Sequence, residues 1–372
     1  MKVLIIPDKF KGTLSAVQAA QAIAVGWKGQ RPADLVQLLP MSDGGDGFGE
    51  VIGQLLGASV QTVRTVNAAH HACVSRWWWE PRSRTAIIES ALVVGLAMLP
   101  RGKFHPFELD TFGLGAVIQA AAGKGAKQCL IGIGGSATND GGLGLARSMG
   151  WEFLDGNGGQ IRKWIQLGDL KSIRWPKESF RIPKLVVAVD VQNPLLGPRG
   201  ATRIYGPQKG LRERDFEAAE GCLRRLARVV AQFNGMDYGK RPGAGAAGGL
   251  GFGMLAFLGA RFEAGFDLFA RQARLGRQIG SADLVITGEG SIDESTLMGK
   301  GVGEIANRCR ALEIPCIGLG GKVAPKVRRG KLFTETHALT DLTTAGAARA
   351  KAGWWLRRLA NGVARAVGDC VD

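Results

Sequence analysis

Four loops of this 372-residue chain share one chemistry, glycine with carboxylates nearby. They are Asp43-Gly44-Gly45-Asp46-Gly47, Gly134-Gly135-Ser136, Asp190 with Asn193, and Gly288-Glu289-Gly290-Ser291-Ile292-Asp293. Glycine with Ser or Thr at a helix N-terminus exposes backbone N–H groups to a phosphate. Carboxylates alongside suit Mg²⁺, which accompanies nucleotide phosphates and keeps most of its waters. Together they point to phosphoryl transfer from a nucleotide. A single loop of this kind is ordinarily a turn with a helix cap. Four in one chain reverse that reading.

The loops need strands to carry them, because open α/β sheets bind ligands at the carboxyl ends of parallel strands. The apolar run 3–6 suits a buried parallel strand. After loop 7–12, Thr13 or Ser15 can cap a helix in which Leu14, Val17, Ala20, Ile23 and Trp27 recur at near-helical spacing. Gly29 and Pro32 stop it. A second strand over 35–39 leads into the Asp43 loop. Residues 61–66, 72–79 and 85–89 read as strands of a mixed or antiparallel sheet. Trp77, Trp78 and Trp79 cannot all face one side of a strand, so a packing role is expected.

A helix over 112–122, a strand over 128–133 and a short helix closing at Gly150 bracket the Gly134 loop. The stretch 151–180 reads as a connector rich in Gly, Lys and Arg. Further strands are expected over 185–189, 284–287 and 316–319, and helices over 250–258, 304–312 and 345–367. No fixed-period repeat is present. The first 60 and last 90 residues share one βαβ texture. The sequence therefore predicts an α/β protein of two domains. One is a Rossmann-like parallel-sheet domain formed by both chain ends, 1–62 plus 283–372. The other is an inserted α/β domain with a mixed sheet, 63–282, the active site lying in the cleft between them.

Composition narrows the class. With 45% apolar and 22% charged residues the chain reads as a soluble globular protein, which excludes disorder, collagen and coiled coil. Its 56 glycines are about twice the usual share. Lys and Arg outnumber Asp and Glu by 48 to 32, and the net charge of +16 favours anionic partners. The basic runs, 161–184 and the tail from 321, carry no recognisable nucleic-acid motif; nucleic acid is not an expected partner. Six cysteines at 73, 129, 222, 309, 316 and 370 form no CxxC pair and read as reduced thiols of a cytoplasmic protein. The N-terminal apolar run is shorter than the ~7–15 residues of a secretory signal. The longest apolar stretch, 91–99, falls short of the ~20 residues that span a bilayer, so no membrane partner is expected.

Several familiar sites fail on inspection. There is no GxxxxGK[ST] and hence no P-loop. Gly243-Ala-Gly245-Ala-Ala-Gly248 matches GxGxxG, but the preceding Tyr238-Gly-Lys-Arg-Pro242 is no strand. It reads as a glycine-rich turn into the helix 250–258. Gly134-Gly-Ser-Ala-Thr138 misses the GxSxG nucleophile elbow. The four histidines have no standard metal-ligand spacing.

Taken in order, the loops resemble those of bacterial glycerate kinases of the short, two-domain type. The resemblance rests on Pro7-Asp-Lys-Phe-Lys-Gly-Thr-Leu-Ser-Ala16, Pro40-Met-Ser-Asp-Gly-Gly-Asp-Gly47 and Gly132-Ile-Gly-Gly-Ser-Ala-Thr-Asn-Asp-Gly-Gly142. It continues through Asp190-Val-Gln-Asn-Pro-Leu-Leu-Gly197, Gly206-Pro-Gln-Lys-Gly210, Pro242-Gly-Ala-Gly-Ala-Ala-Gly-Gly249 and Asp283-Leu-Val-Ile-Thr-Gly-Glu-Gly290, with Asp293 and Gly299-Lys300. Residues 70–80 match nothing in the pattern and 104–112 keep only part of it; lid shape or substrate choice could differ there.

The resemblance implies ATP-dependent phosphorylation of D-glycerate with Mg²⁺, at the 2-hydroxyl, giving 2-phosphoglycerate. Asp8, Lys11, Asp43 and Asp190 become the catalytic candidates, since an Asp can orient or deprotonate the attacking hydroxyl. The carboxylate of glycerate needs a Lys or Arg, with Lys11, Arg199 and Lys209 available, and Asp46 and Asn193 complete the substrate-binding set. Gly134, Gly135, Ser136, Asn139, Gly245, Gly248 and Gly249 would hold nucleotide phosphates; Glu289 and Asp293 would hold the metal, directly or through water. A monomer or homodimer is expected. Two alternatives stay open: a kinase of the same fold acting on another small hydroxy acid, and a non-catalytic nucleotide- or nucleic-acid-binding protein using the basic segments.

Overall fold

The computed structural model describes residues 1–177, 183–297 and 301–369; Arg181, Gly299, Lys300 and Cys370 lie outside the described residues. Along the chain the strands are β1 (Lys2–Pro7), β2 (Leu35–Leu38), β3 (Ser59–Val66), β4 (Ala72–Glu80), β5 (Thr85–Glu89), β6 (Gln128–Gly132) and β7 (Glu152–Leu154). They continue with β8 (Ser172–Arg174), β9 (Lys184–Ala188), β10 (Arg261–Glu263), β11 (Leu284–Ile292), β12 (Cys316–Val323) and β13 (Glu335–Ala338). The chain forms two compact units, Met1–Asp43 with Phe266–Asp372, and Gly44–Gly265.

In the first unit a sheet of order β13-β12-β11-β1-β2 is parallel throughout. Val3, Leu4, Ile5 and Ile6 at its centre are all buried, which is why this strand is apolar at every position instead of alternating. The helix Ala16–Lys28 starts at Ser15, not Thr13. Ser15 Oγ accepts from the Gln18 amide at 3.2 Å while Gln18 Oε1 accepts from the Ser15 amide at 2.9 Å, a reciprocal cap. Its inner face, Ile23 and Trp27, packs with Leu356, Ala360 and Val363 of the helix Ala352–Asp369. The helix expected over 345–367 is two, Ala345–Ala350 and Ala352–Asp369, because Lys351 leaves helical geometry at φ −133° and ψ 46°.

In the second unit a sheet of order β10-β9-β6-β5-β4-β3 is mixed, as the sequence predicts. β3, β4 and β5 pair antiparallel; β5, β6, β9 and β10 are parallel. The tryptophans of β4 divide between the two faces. Trp77 and Trp79 meet edge to face at 6.4 Å, and Trp78 faces the helix Phe48–Leu55 on the other side. A Cβ on Gly49 or Gly53 of that helix would lie 2.0 or 2.5 Å from the Trp78 ring. This packing groups the helix with the second unit, whereas the sequence boundary at 62 assigned it to the first; the chain re-enters the first unit at Phe266, before the expected 283. The stretch 151–180 is not a plain connector: β7 and β8 form an antiparallel ribbon beside a turn in which Trp164, Leu167 and Leu170 are buried. The helix Glu213–Asn234, absent from the sequence reading, packs on that turn, where Cys222 Sγ donates to Ile165 O at 3.2 Å and Arg225 Nε to Leu170 O at 2.5 Å. Among the described residues no helix is long and apolar enough to cross a membrane.

Candidate active site

Because β1, β2, β11 and β12 run the same way, their carboxyl ends share one edge of the first unit's sheet. Asp8 follows β1, and its amide donates to Gly288 O at 2.8 Å. A Cβ on Gly288 would lie 2.1 Å from Leu319 O, so glycine is what lets β12 approach the strand that carries Glu289. Asp43 follows β2 and pairs with Lys9 Nζ at 3.2 Å. Glu289 accepts from the Thr296 hydroxyl at 2.7 Å. Burial pushes its carboxyl up to about 7, and the negative charges of Asp8, Asp293 and Asp43 push the same way. Asp293 differs in kind. The Ser295 hydroxyl and amide, at 2.7 and 2.9 Å, and the Ser291 hydroxyl, at 3.0 Å, hold its carboxyl below the usual range. Among the described residues no three His, Cys, Asp or Glu side chains converge as a preformed metal cage.

In the second unit β6 runs into the loop 134–142. Ser136 Oγ lies 2.9 Å from Thr138 Oγ1, accepts from the Thr138 amide at 3.1 Å and donates to Ala247 O at 3.3 Å. Asn139 Nδ2 donates to Thr202 Oγ1 at 3.1 Å, and Lys209 Nζ donates to Thr138 O at 2.6 Å. Asp140, fully buried, accepts from the amide and hydroxyl of Thr111 and the amides of Gly142 and Gly144. Burial and the neighbouring Asp110 push its carboxyl up, while these bonds pull it back.

The glycine-rich turn lies against this loop. Ala247, Gly248 and Gly249 are consecutive left-handed residues inside the helix Ala246–Leu258. For Ala247 that geometry costs ~1–2 kcal/mol, strain of a kind that concentrates at functional sites. Gly248 O accepts from the Gly141 amide at 3.1 Å, and a Cβ on Gly248 would sit 1.9 Å from Thr138 O. The Gly245 amide donates to Asn193 O at 2.9 Å; Tyr205 donates to Asn193 Oδ1, and Asn193 Nδ2 donates to Arg199 O, each at 2.7 Å.

The structure thus brings Asp8, Asp43, Glu289 and Asp293 together in one unit. In the other it gathers Gly134, Gly135, Ser136, Asn139, Lys209, Gly245, Gly248 and Gly249, with Asn193 beside Gly245. Asp46 is exposed with its carboxylate against Gly135, where a Cβ would come within 2.1 Å of Oδ1. Asp190 accepts from the Gly265 amide at 2.8 Å. Lys11 and Arg199 are exposed. Several polar groups of the candidate site escaped the sequence reading. Lys9, Thr138 and Asp140 lie inside the quoted motifs and were passed over for their neighbours. Glu89, whose carboxylate accepts from the Gly47 and Gly49 amides at 2.9 and 3.0 Å, was signalled only as a charge ending the apolar run 85–89.

The profile of the Glycerate kinase family matches residues 3–368. The glycerate kinase of Halalkalibacterium halodurans is 36% identical over 324 residues, covering 86% of this chain and 85% of that protein. The glycerate 2-kinase of Escherichia coli is 36% identical over 341 residues, covering 88% and 87%. A crystal structure from Salmonella typhimurium LT2 assigned to glycerate kinase 2 superimposes with a TM-score of 0.83 at 32% identity, over 99% of this chain and 98% of that one. The match runs through every loop described above, and the chain belongs to the glycerate kinase family.

Proposed function

We propose that this protein transfers the γ-phosphoryl group of ATP, with Mg²⁺, to the 2-hydroxyl of D-glycerate. The observation that carries the reading is the cluster of Asp8, Asp43, Glu289 and Asp293 at one sheet edge, in a chain that aligns along its length with named glycerate kinases. The donor set fits a divalent cation. Glu289 is half-buried near Asp8, Asp43 and Asp293; desolvation first, and then their negative charge, lift its carboxyl to about 7, and a bound cation would favour its charged form again. Mg²⁺ ordinarily takes one or two carboxylates plus phosphate oxygens and waters, so a closed protein cage is not required. Glu289 and Asp293 would hold it, directly or through water, where it neutralises phosphate charge.

The remaining work is positioning and charge balance, as phosphoryl transfer demands. Asp8 or Asp43, the latter paired with Lys9, orients the attacking hydroxyl and takes its proton. Asp190 is a third candidate for that task. The 134–142 loop and the turn at 245–249 bind phosphate through backbone N–H groups. Lys11 and Arg199 meet the carboxylate of glycerate, with Asp46 and Asn193 as hydrogen-bonding partners of its hydroxyls. The free thiols of Cys73, Cys129, Cys222, Cys309 and Cys316 support a reducing, cytoplasmic setting.

The test is ADP release from ATP with D-glycerate and a panel of small hydroxy acids, with and without EDTA. Turnover that needs both glycerate and Mg²⁺ is expected. A tenfold higher kcat/KM on another hydroxy acid would replace the substrate. Nucleotide binding without turnover on any acid would leave a non-catalytic binding protein.

A further inference from the structure

Lys209 is 6% exposed, at the end of the helix Ala201–Lys209. Thr202, two turns earlier on the same side, receives Asn139, and Lys209 itself reaches Thr138 O. The same ammonium lies 2.8 Å from where a Cβ on Gly248 would stand. It therefore sits at the crossing of the 134–142 loop and the left-handed turn. An ammonium has three donors. Among the described residues its hydrogen-bond acceptor is Thr138 O alone, with no carboxylate at ion-pair distance. Asp140 acts on it from farther off, its own oxygens committed to Thr111, Gly142 and Gly144. Asn139 Oδ1, also buried, has no partner. A buried ammonium with donors unused and no counter-charge at ion-pair distance marks a polar site that an anion from outside would complete. Burial lowers the Lys209 ammonium to about 7, so a nearby anion would restore its charge.

We propose that Lys209 is a positioning residue that locks the 134–142 loop to the 247–249 turn and supplies, from within, the charge that draws an anionic phosphate onto them. This rests on the reading of those loops as a phosphate site. It differs from a direct contact with the carboxylate of glycerate, because the ammonium acts through Thr138 and the loop.

The experiment is calorimetric binding of inorganic pyrophosphate to the wild-type chain, Lys209→Met and Lys209→Gln from pH 6.5 to 9, with melting temperatures and glycerate turnover alongside. Both variants are expected to fold and to bind pyrophosphate at least tenfold more weakly at pH 6.5. Wild-type affinity is expected to fall as pH rises above neutrality, although pyrophosphate gains negative charge over the same range. The variants should lack that fall, which a merely structural role would not produce. Asp140, the charged group acting on Lys209, and Asp110 and Arg147, which act on Asp140, remain in both variants. Binding within threefold of wild type, with an unchanged pH profile, would overturn the proposal. If neither variant folds, the wild-type pH profile decides. Lys209-dependent pyrophosphate binding without glycerate turnover would sink the kinase reading and leave this inference standing.

Discussion

Glu289 illustrates how a single carboxyl takes its character from what it is buried beside. Its folded-state pKa of about 7 lies above the ordinary 4.5. Between those values the folded chain holds a proton that the unfolded chain has lost, so stability falls as pH rises through the window and the cost is complete above 7. Glu289→Gln, which can still accept from Thr296, should be more stable than wild type at pH 8 by about 1–3 kcal/mol, the gap closing below pH 4.5. Urea unfolding at both pH values measures this, and glycerate turnover should fall by about 10²-fold in the same variant. Gly248 makes the opposite case. Its φ of +71° and the 1.9 Å approach to Thr138 O leave no room for a methyl. Gly248→Ala should cost at least about 2 kcal/mol by thermal melting. Part of this scale was legible: Asp8, Asp43 and Asp293 follow strands as the sequence predicts, whereas Glu289, expected on a loop after a strand ending at 287, lies inside β11, which continues to Ile292. The partners of Glu89 were not, since the amides of Gly47 and Gly49 lie forty residues away and only the fold brings them near.

At the scale of elements, close packing explains both successes and misses. Strand β1 and the helix Ala16–Lys28 were readable because their burial is periodic or total, and periodicity survives in the sequence. The Trp77–Trp79 triplet was readable as packing for the same reason. The β7–β8 ribbon was not, because its three-residue strands carry no pattern long enough to see. The break at Lys351 falls in an alanine-rich stretch with no proline or cap to announce it. Glycines separate by what surrounds them. A Cβ on Gly26 would lie 2.2 Å from Arg357 O, where the first and last helices of their unit meet, whereas one on Gly362 would meet nothing within 4 Å. Gly26→Ala should therefore destabilise by about 2–4 kcal/mol, while Gly362→Ala should be neutral or stabilise by up to about 1 kcal/mol. Paired melting curves of the two variants check this.

At the scale of the whole molecule, the α/β class, the terminal parallel sheet and the inserted mixed sheet were legible from alternating strands and helices. The boundaries moved because the helix Phe48–Leu55 is fixed by Trp78 and Glu89, contacts that composition does not reveal. The net charge of +16 has a consequence for an anionic substrate. Raising ionic strength from about 0.02 to 0.2 M shortens the screening length about threefold, so kcat/KM for glycerate should fall several-fold while kcat changes little. Stopped-time assays across a salt series would reveal it. The measurement that bears most directly on the central claim is the identity of the phosphorylated product. ATP, Mg²⁺ and D-glycerate are incubated with the protein, and the product is offered to enolase without phosphoglycerate mutase. Immediate phosphoenolpyruvate formation, matching ADP release one for one, is the predicted result. A product that enolase ignores until the mutase is added would contradict transfer to the 2-hydroxyl, and ADP release independent of glycerate would contradict the kinase assignment itself.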